Sequence, residues 1–204
     1  MERGLNAMLE GTMGSHGLNE STPKNILLGA GTYHKGLKWD SSGKKWTGTC
    51  VGATSGGGKV SIQGEYKDIE LDGAYVLVKG LTVKQGGKAS MEANIAEITG
   101  DNIKMATNFK EAESDAEGYS LYVDKPNIEA NDYVDNFAFV GKTANDQKSI
   151  IIIFESALCK SALELEPKKG EQSVLKVVMD AYAENAGNLD TLPVKIYYPD
   201  ESVV

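Results

Sequence analysis

Short segments in which apolar and polar residues alternate constrain this sequence more than any other feature. The segment 91–95 (MEANI) places its apolar residues on one side of a strand, and residues 174–183 alternate in the same way. A period of two is typical of a strand with one buried face. Tight-turn dipeptides such as Asp72-Gly73 separate these segments. We therefore predict a mainly β fold, an antiparallel β-barrel or sandwich of eight to ten short strands.

Four further segments have patterns that predict a strand or a helix. Ile150–Phe154 is continuously apolar, which is typical of a strand buried on both faces. Ala74–Val78, which follows the Asp72-Gly73 turn, and Val194–Tyr198 are predicted to be strands. Residues 99–109 have apolar residues at helical spacing, with Asp101 as the expected N-cap, and are predicted to form one short flanking α-helix.

The segment 18–59 combines many glycines with both tryptophans of the chain, Trp39 and Trp46. Flexible linkers are rich in glycine and serine but lack tryptophan. We therefore expect an extended N-terminal arm and a long Gly-rich loop, ordered by packing against a partner surface. The alternative is a long hairpin that folds back on its own domain. Residues 1–17 are interpreted as a flexible leader or a cloning remnant, and residues 18–204 as a single β domain.

The composition narrows the classes of function. The 204 residues carry a formal net charge of −8, which argues against nucleic-acid binding through a basic surface. No apolar run approaches the roughly 20 residues that span a bilayer, so no membrane partner is expected. Two widely separated cysteines, Cys50 and Cys159, do not make a disulfide framework.

No arrangement of residues in the sequence indicates catalysis. The segment 52–60 (GATSGGGKV) approaches a phosphate-binding loop, but Val60 stands where that motif requires Ser or Thr after Lys59. The two histidines, His16 and His34, are isolated, and the acidic segment 111–117 lacks the spacing of a calcium loop. We expect a protein that is not an enzyme and that uses no cofactor or metal.

The stretch from Gly17 to about Phe109 resembles the major tail tube proteins of long-tailed bacteriophages. The resembling text opens with GLNESTPKNILLGAGTYHKGLKW, continues with CVGATSGGGKVSI and IELDGAYVLVKG, and ends with KASMEANIAEITGDNIKMA. The resemblance implies a compact β-barrel or sandwich flanked by a helix, similar to the tube protein of type VI secretion. It implies subunits that form rings, usually hexameric, which stack into a conduit for DNA ejection.

The resemblance also implies partners and a location. The partners would be further copies of the chain and other tail proteins (tape measure, terminator, baseplate), while phage DNA would pass through the lumen without specific binding. The location would be the virion tail, assembled in the host cytoplasm. Residues 18–59 and the C-terminal segment 186–204 are expected to carry much of the contact between rings. The candidate contact residues are Ile26, Leu27, Leu28, Tyr33, Leu37, Trp39, Trp46, Tyr197 and Tyr198.

Two alternatives remain open from the sequence. The first is another tail component with a similar fold, such as a terminator or a baseplate hub-like protein, which would form a single ring. The second is a ligand- or carbohydrate-binding β-sandwich, for which Trp39 and Trp46 are the only candidate aromatic site. An enzyme ranks last.

Overall fold

A computed structural model describes residue 18 and residues 22–143, 149–184 and 189–199. Strands dominate this part of the chain: β1 (Leu27–Asp40), β2 (Lys45–Cys50), β3 (Thr54–Asp68), β4 (Thr82–Ile95), β5 (Lys110–Ala112), β6 (Leu121–Val123), β7 (Val134–Thr143), β8 (Ser149–Cys159), β9 (Leu175–Ala181) and β10 (Val194–Tyr197). Helical segments are a single turn at Thr22–Asn25, the flanking helix Gly100–Thr107 and a 3-10 turn at Ala130–Asp132.

Eight strands form one antiparallel sheet in the order β2-β1-β7-β8-β9-β4-β3, with β10 paired to β8 beside β9, while β5 and β6 form a separate pair. The edge strands β2 and β3 do not pair with each other, so the sheet is not a closed barrel. Its two halves nevertheless pack face to face around a shared core, and across it the Tyr33 hydroxyl on β1 donates to the Glu92 carbonyl on β4 at 2.8 Å. The predicted mainly β, antiparallel, sandwich-like fold with a short helix is confirmed.

The main core lies between these two halves of the sheet. Its largest fully buried side chains include Tyr33 on β1, Phe137 on β7, Phe154 on β8 and Met91 on β4. The opposite face of β8 is also covered, because Ile151 and Ile153 pack with Leu37 and Ala138 in a second cluster on the outer face. The predicted burial of Ile150–Phe154 on both faces is therefore confirmed.

The N-cap of the flanking helix lies two residues before the expected Asp101. Thr99, in an extended conformation, accepts a hydrogen bond from the Asn102 amide and is the N-cap. Asp101 lies in the first turn instead, where its negative charge favours the positive end of the helix dipole. Asn102, Met105 and Ala106 are buried, and they fix the helix against the sheet.

The N-terminal segment pairs within its own chain. β1 and β2 form a hairpin, and β1 also pairs with β7 through positions such as Tyr33 opposite Phe139. This is the self-packed hairpin that the sequence left as the alternative. The glycine-rich stretch is not a loop, because Thr54–Asp68 is one strand. Gly58 lies under the Tyr33 ring, and a Cβ there would collide with the Tyr33 hydroxyl.

Strands β3 and β4 form a long ribbon that extends beyond the core. The last buried residue on β4 toward the tip is Ala89, and the strand continues to Thr82. At about 3.3 Å per residue, this places the tip roughly 23 Å from the core. Residues 69–81 connect the two strands at the tip. The strand predicted for Ala74–Val78 is therefore wrong, since those residues belong to this connection.

Candidate interaction surfaces

An aromatic cluster occupies the outer face of the β1–β2 hairpin. Trp39 and Trp46 are directly opposite each other across the hairpin, and their ring centroids are 5.4 Å apart in an edge-to-face arrangement. Tyr197 on β10 approaches Trp46 with a centroid distance of 4.8 Å, again edge to face. Such contacts stabilise a pair by about 0.5–1.5 kcal/mol beyond the area they bury. The cluster thus joins one hairpin to β10, a strand that is distant from it in sequence.

These aromatic residues form the walls of a groove with a volume of about 750 Å³. Leu37 and Ile151 are buried beneath it and provide an apolar floor, and Tyr198 and Pro199 continue the wall beyond the end of β10. Trp39 is 51% exposed, so much of its ring remains available to an occupant. We call this feature the aromatic groove. Its size falls within the range of about 300–1,000 Å³ seen for ligand pockets.

His34 also lines the aromatic groove. Its Nε2 lies 3.0 Å from the Thr32 hydroxyl, while its Nδ1 is buried without a hydrogen-bond partner. Burial lowers the pKa of His34 below its ordinary value, because the imidazolium form loses hydration there. The ring is therefore neutral at pH 7, and the groove has no positive charge at this position.

The contact residues predicted from the sequence fall into a group at the surface and a buried group. Trp39, Trp46, Tyr197 and Tyr198 come together at the aromatic groove. Ile26 and Leu27 are half-exposed at the start of β1. The side chain of Leu28 lies outside the described part of the structure.

Tyr33 and Leu37 form the second group, since they are only 1% and 4% exposed. Tyr33 belongs to the main core, and Leu37 lies beneath the aromatic groove. Both side chains stabilise the monomer, and the exposed residues remain the candidates for contact with a partner.

A second apolar surface was missed by the sequence reasoning. At the ribbon tip, Tyr75, Val76 and Leu77 are 97%, 77% and 81% exposed. We call residues 69–81 the tip loop. Exposed apolar patches of this kind mark interaction sites on soluble proteins. The apolar run is evident in the sequence, but its pattern fits a strand of the sheet as well as an exposed loop.

The metal and phosphate motifs considered in the sequence can be compared with the described ranges. No group of three or more His, Cys, Asp and Glu residues there is arranged to hold a metal ion. Lys59, the lysine of the apparent phosphate-binding motif, lies within β3 opposite Glu92 on β4, where no helix follows it. None of the helices in the described residues is long and apolar enough to cross a bilayer.

A scan against models of protein families and a search of curated proteins find no match for this chain. The resemblance between Gly17 and Phe109 therefore stays a prediction from the sequence.

Proposed function

We propose that this chain is a structural subunit of a phage tail tube, which forms rings, six subunits in each by analogy with the family, that stack into a conduit for DNA ejection. The observation that carries the proposal is the long edge strand β3. The sequence resemblance is the reason for proposing a tail tube. The fold offers the surfaces through which its subunits would contact each other.

Strand β3 has 15 residues and lies at the edge of the sheet. From Gly58 to Glu65 its pairing with β4 is regular, so in the described part of the chain its other side presents a row of backbone donors and acceptors. Natural monomers blunt such edges with charges, prolines or bulges because they template pairing with another chain. Here, the regular stretch has only Lys59 and Glu65 as charged residues. Strand addition between subunits would satisfy the edge and close a ring.

The charge of the chain fits passage of DNA. A net charge of −8 per subunit repeats around every ring, and a lumen with little positive charge repels the phosphate backbone. DNA would then pass through the tube without binding to its wall.

Sedimentation velocity over a series of protein concentrations, with negative-stain electron microscopy, tests the proposal. We expect rings that stack into tubes as the concentration rises. Single rings that never stack would favour the terminator or hub-like alternative, and a monomer at every concentration would refute assembly.

A charged substitution on the edge strand tests whether rings form by pairing of β3 with a neighbouring subunit. Ile62 is partly exposed on β3, so Ile62→Lys is expected to preserve the fold and to weaken ring formation by placing a lysine at the edge. Ile62→Val, which keeps an apolar β-branched residue, should assemble like the parent protein.

A second candidate function is carbohydrate binding, which the aromatic groove favours. Aromatic rings with exposed faces beside a few polar groups are the usual elements of a small-ligand site. Both tryptophans of the chain line the groove, so intrinsic tryptophan fluorescence reports on this site alone. A saturable change in emission on titration with a panel of sugars would support this candidate, and unchanged emission would eliminate it.

A further inference from the structure

We infer that the tip loop of one subunit docks in the aromatic groove of a second copy. This inference rests on the proposed function, because it identifies the surfaces through which two subunits of an assembly meet. Two apolar features on one chain carry it, one convex and one concave.

The tip loop has the form of an inserted element. Tyr75, Val76 and Leu77 are consecutive, are more than three-quarters exposed and lie at the end of a projecting ribbon. An aromatic and two branched apolar side chains in this position gain little from the monomer, since they contact mostly water. They would be desolvated only by insertion into an apolar recess.

The aromatic groove has the form of the recess. Its floor is apolar, its walls are Trp39, Trp46 and Tyr197, and its volume of about 750 Å³ is large enough for a few side chains. Tryptophan and tyrosine around a pocket are the residues most enriched among energetic hot spots of protein interfaces.

The two features do not meet within one chain. The tip loop is exposed where it stands. Among the described residues, those that line the groove include none from the tip loop. A tip loop can therefore occupy a groove only on another subunit.

Charge supports the same pairing. The hairpin segment 35–45 beside the groove carries four lysines and one aspartate, a balance of +3. The tip loop, residues 69–81, carries two acidic residues and one lysine, a balance of −1. Opposite charges around an apolar contact steer association and fix its orientation.

A contact of this kind joins different surfaces of identical subunits. Such heterologous contacts do not stop at a dimer, because each subunit keeps one free tip loop or one free groove. They close into rings or continue as filaments, which are the two forms of growth that a tube requires.

Two full-length variants test the inference. Val76→Asp/Leu77→Asp removes the tip contact at exposed positions, and Trp39→Asp/Tyr198→Asp removes the groove contact. We expect each variant alone to need at least about 100-fold more protein to assemble, since two buried apolar side chains are lost from the contact. Mixed at a concentration at which neither variant assembles alone, the two variants should form a one-to-one heterodimer, visible by native mass spectrometry, because one intact tip loop and one intact groove remain.

Cross-linking gives a measurement that does not depend on the groove variant. By strand alternation Cys50 lies on the same face of β2 as Trp46, and it is exposed, whereas Cys159 is buried. A short bismaleimide should join Val76→Cys to Cys50 of another copy. Cys50→Ser should abolish this product, and Ser120→Cys, on an exposed loop away from the tip, should not form it.

The outcomes separate the two proposals. A parent protein that stays monomeric at every concentration would refute the proposed function and this inference with it. A parent protein that assembles while the tip variant assembles at the same concentration, or a mixture that yields no heterodimer and no Cys50 cross-link, would refute this inference alone.

Discussion

Gly58 and Tyr33 are in close contact where the two halves of the sheet meet, and the cost of disrupting this contact can be calculated. A Cβ at Gly58 would collide with the Tyr33 hydroxyl and would lie 2.5 Å from the Glu92 carbonyl oxygen. In Gly58→Ala the tyrosine must move, and its 2.8 Å hydrogen bond to that carbonyl must lengthen or break. The approach of β1 to β4 depends on the absence of a side chain at this position.

The expected magnitude follows from three opposing effects. Overpacking of a well-packed core costs about 1–3 kcal/mol. Loss of the hydrogen bond adds about 1 kcal/mol. Reduced freedom of the unfolded chain in a Gly-to-Ala change offsets about 0.4–1 kcal/mol. We therefore expect Gly58→Ala to lower the free energy of unfolding by about 2 kcal/mol.

A double-mutant cycle isolates the cause. Tyr33→Phe alone should cost about 1 kcal/mol for the hydrogen bond. In combination with Gly58→Ala it should cost less than the sum, because it removes the atom nearest to the new methyl group. The rescue is partial, since the Glu92 carbonyl still lies close to the new Cβ.

Gly57→Ala is the matched control. Its φ of +77° makes any side chain strained there, but no atom lies within 4 Å of an added Cβ. It should cost about 1–2 kcal/mol for the left-handed conformation, and this cost should not change with Tyr33→Phe. Urea unfolding followed by both circular dichroism and tryptophan fluorescence gives the free energies. A Gly58→Ala protein within about 0.5 kcal/mol of the parent, or equal coupling for both glycines, would refute the reasoning.

Three further predictions concern stability. Asn102→Ala should lower the free energy of unfolding by about 2–3 kcal/mol in urea, because the buried amide donates to two backbone carbonyls at 2.9 Å each; a loss below about 1 kcal/mol would contradict this. Thr99→Ala should cost about 1 kcal/mol, whereas Asp101→Ala should cost only a few tenths, which calorimetry can compare. The lowered pKa of His34 means that the unfolded chain binds its proton first, so stability present above about pH 6.5 is lost as the pH falls through that value and on to the folded pKa. The urea midpoint should therefore fall more between about pH 7.5 and about pH 5.5 in the parent than in His34→Gln, and parallel curves would disprove the assignment.

The sequence predicts the strands better than it predicts the surfaces. Local alternation is enough for β8 and β9, because burial on one or both faces leaves a direct pattern in the residues. The strand predicted for Ala74–Val78 is wrong because an apolar run after a turn has the same sequence pattern whether the sheet buries it or water surrounds it. The helix cap was displaced for a related reason: both Thr99 and Asp101 are good N-cap types, and only backbone geometry selects between them.

The aromatic groove could be predicted only in part from the sequence. Trp39 and Trp46 could be expected to meet if residues 40–45 formed a turn, which is a local event. Tyr197 reaches the groove because β10 pairs with β8, where Tyr197 lies opposite Ile151. Such non-local pairing is set by the packing of the whole sheet, and no short pattern in the sequence encodes it.

The position of β10 means that the aromatic groove is completed only when the last strand of the described sheet has been made. One wall of the aromatic groove comes from β1 and β2, which are translated early, and the other comes from Tyr197 to Pro199. β1 pairs with β2 at once, but its second neighbour, β7, begins only at Val134. A nascent chain that has not yet reached Val194 therefore has no complete groove with which to capture a neighbour. Under the proposed assembly, a subunit can accept a partner only after its own sheet has been finished, so unfinished chains are kept out of the growing tube.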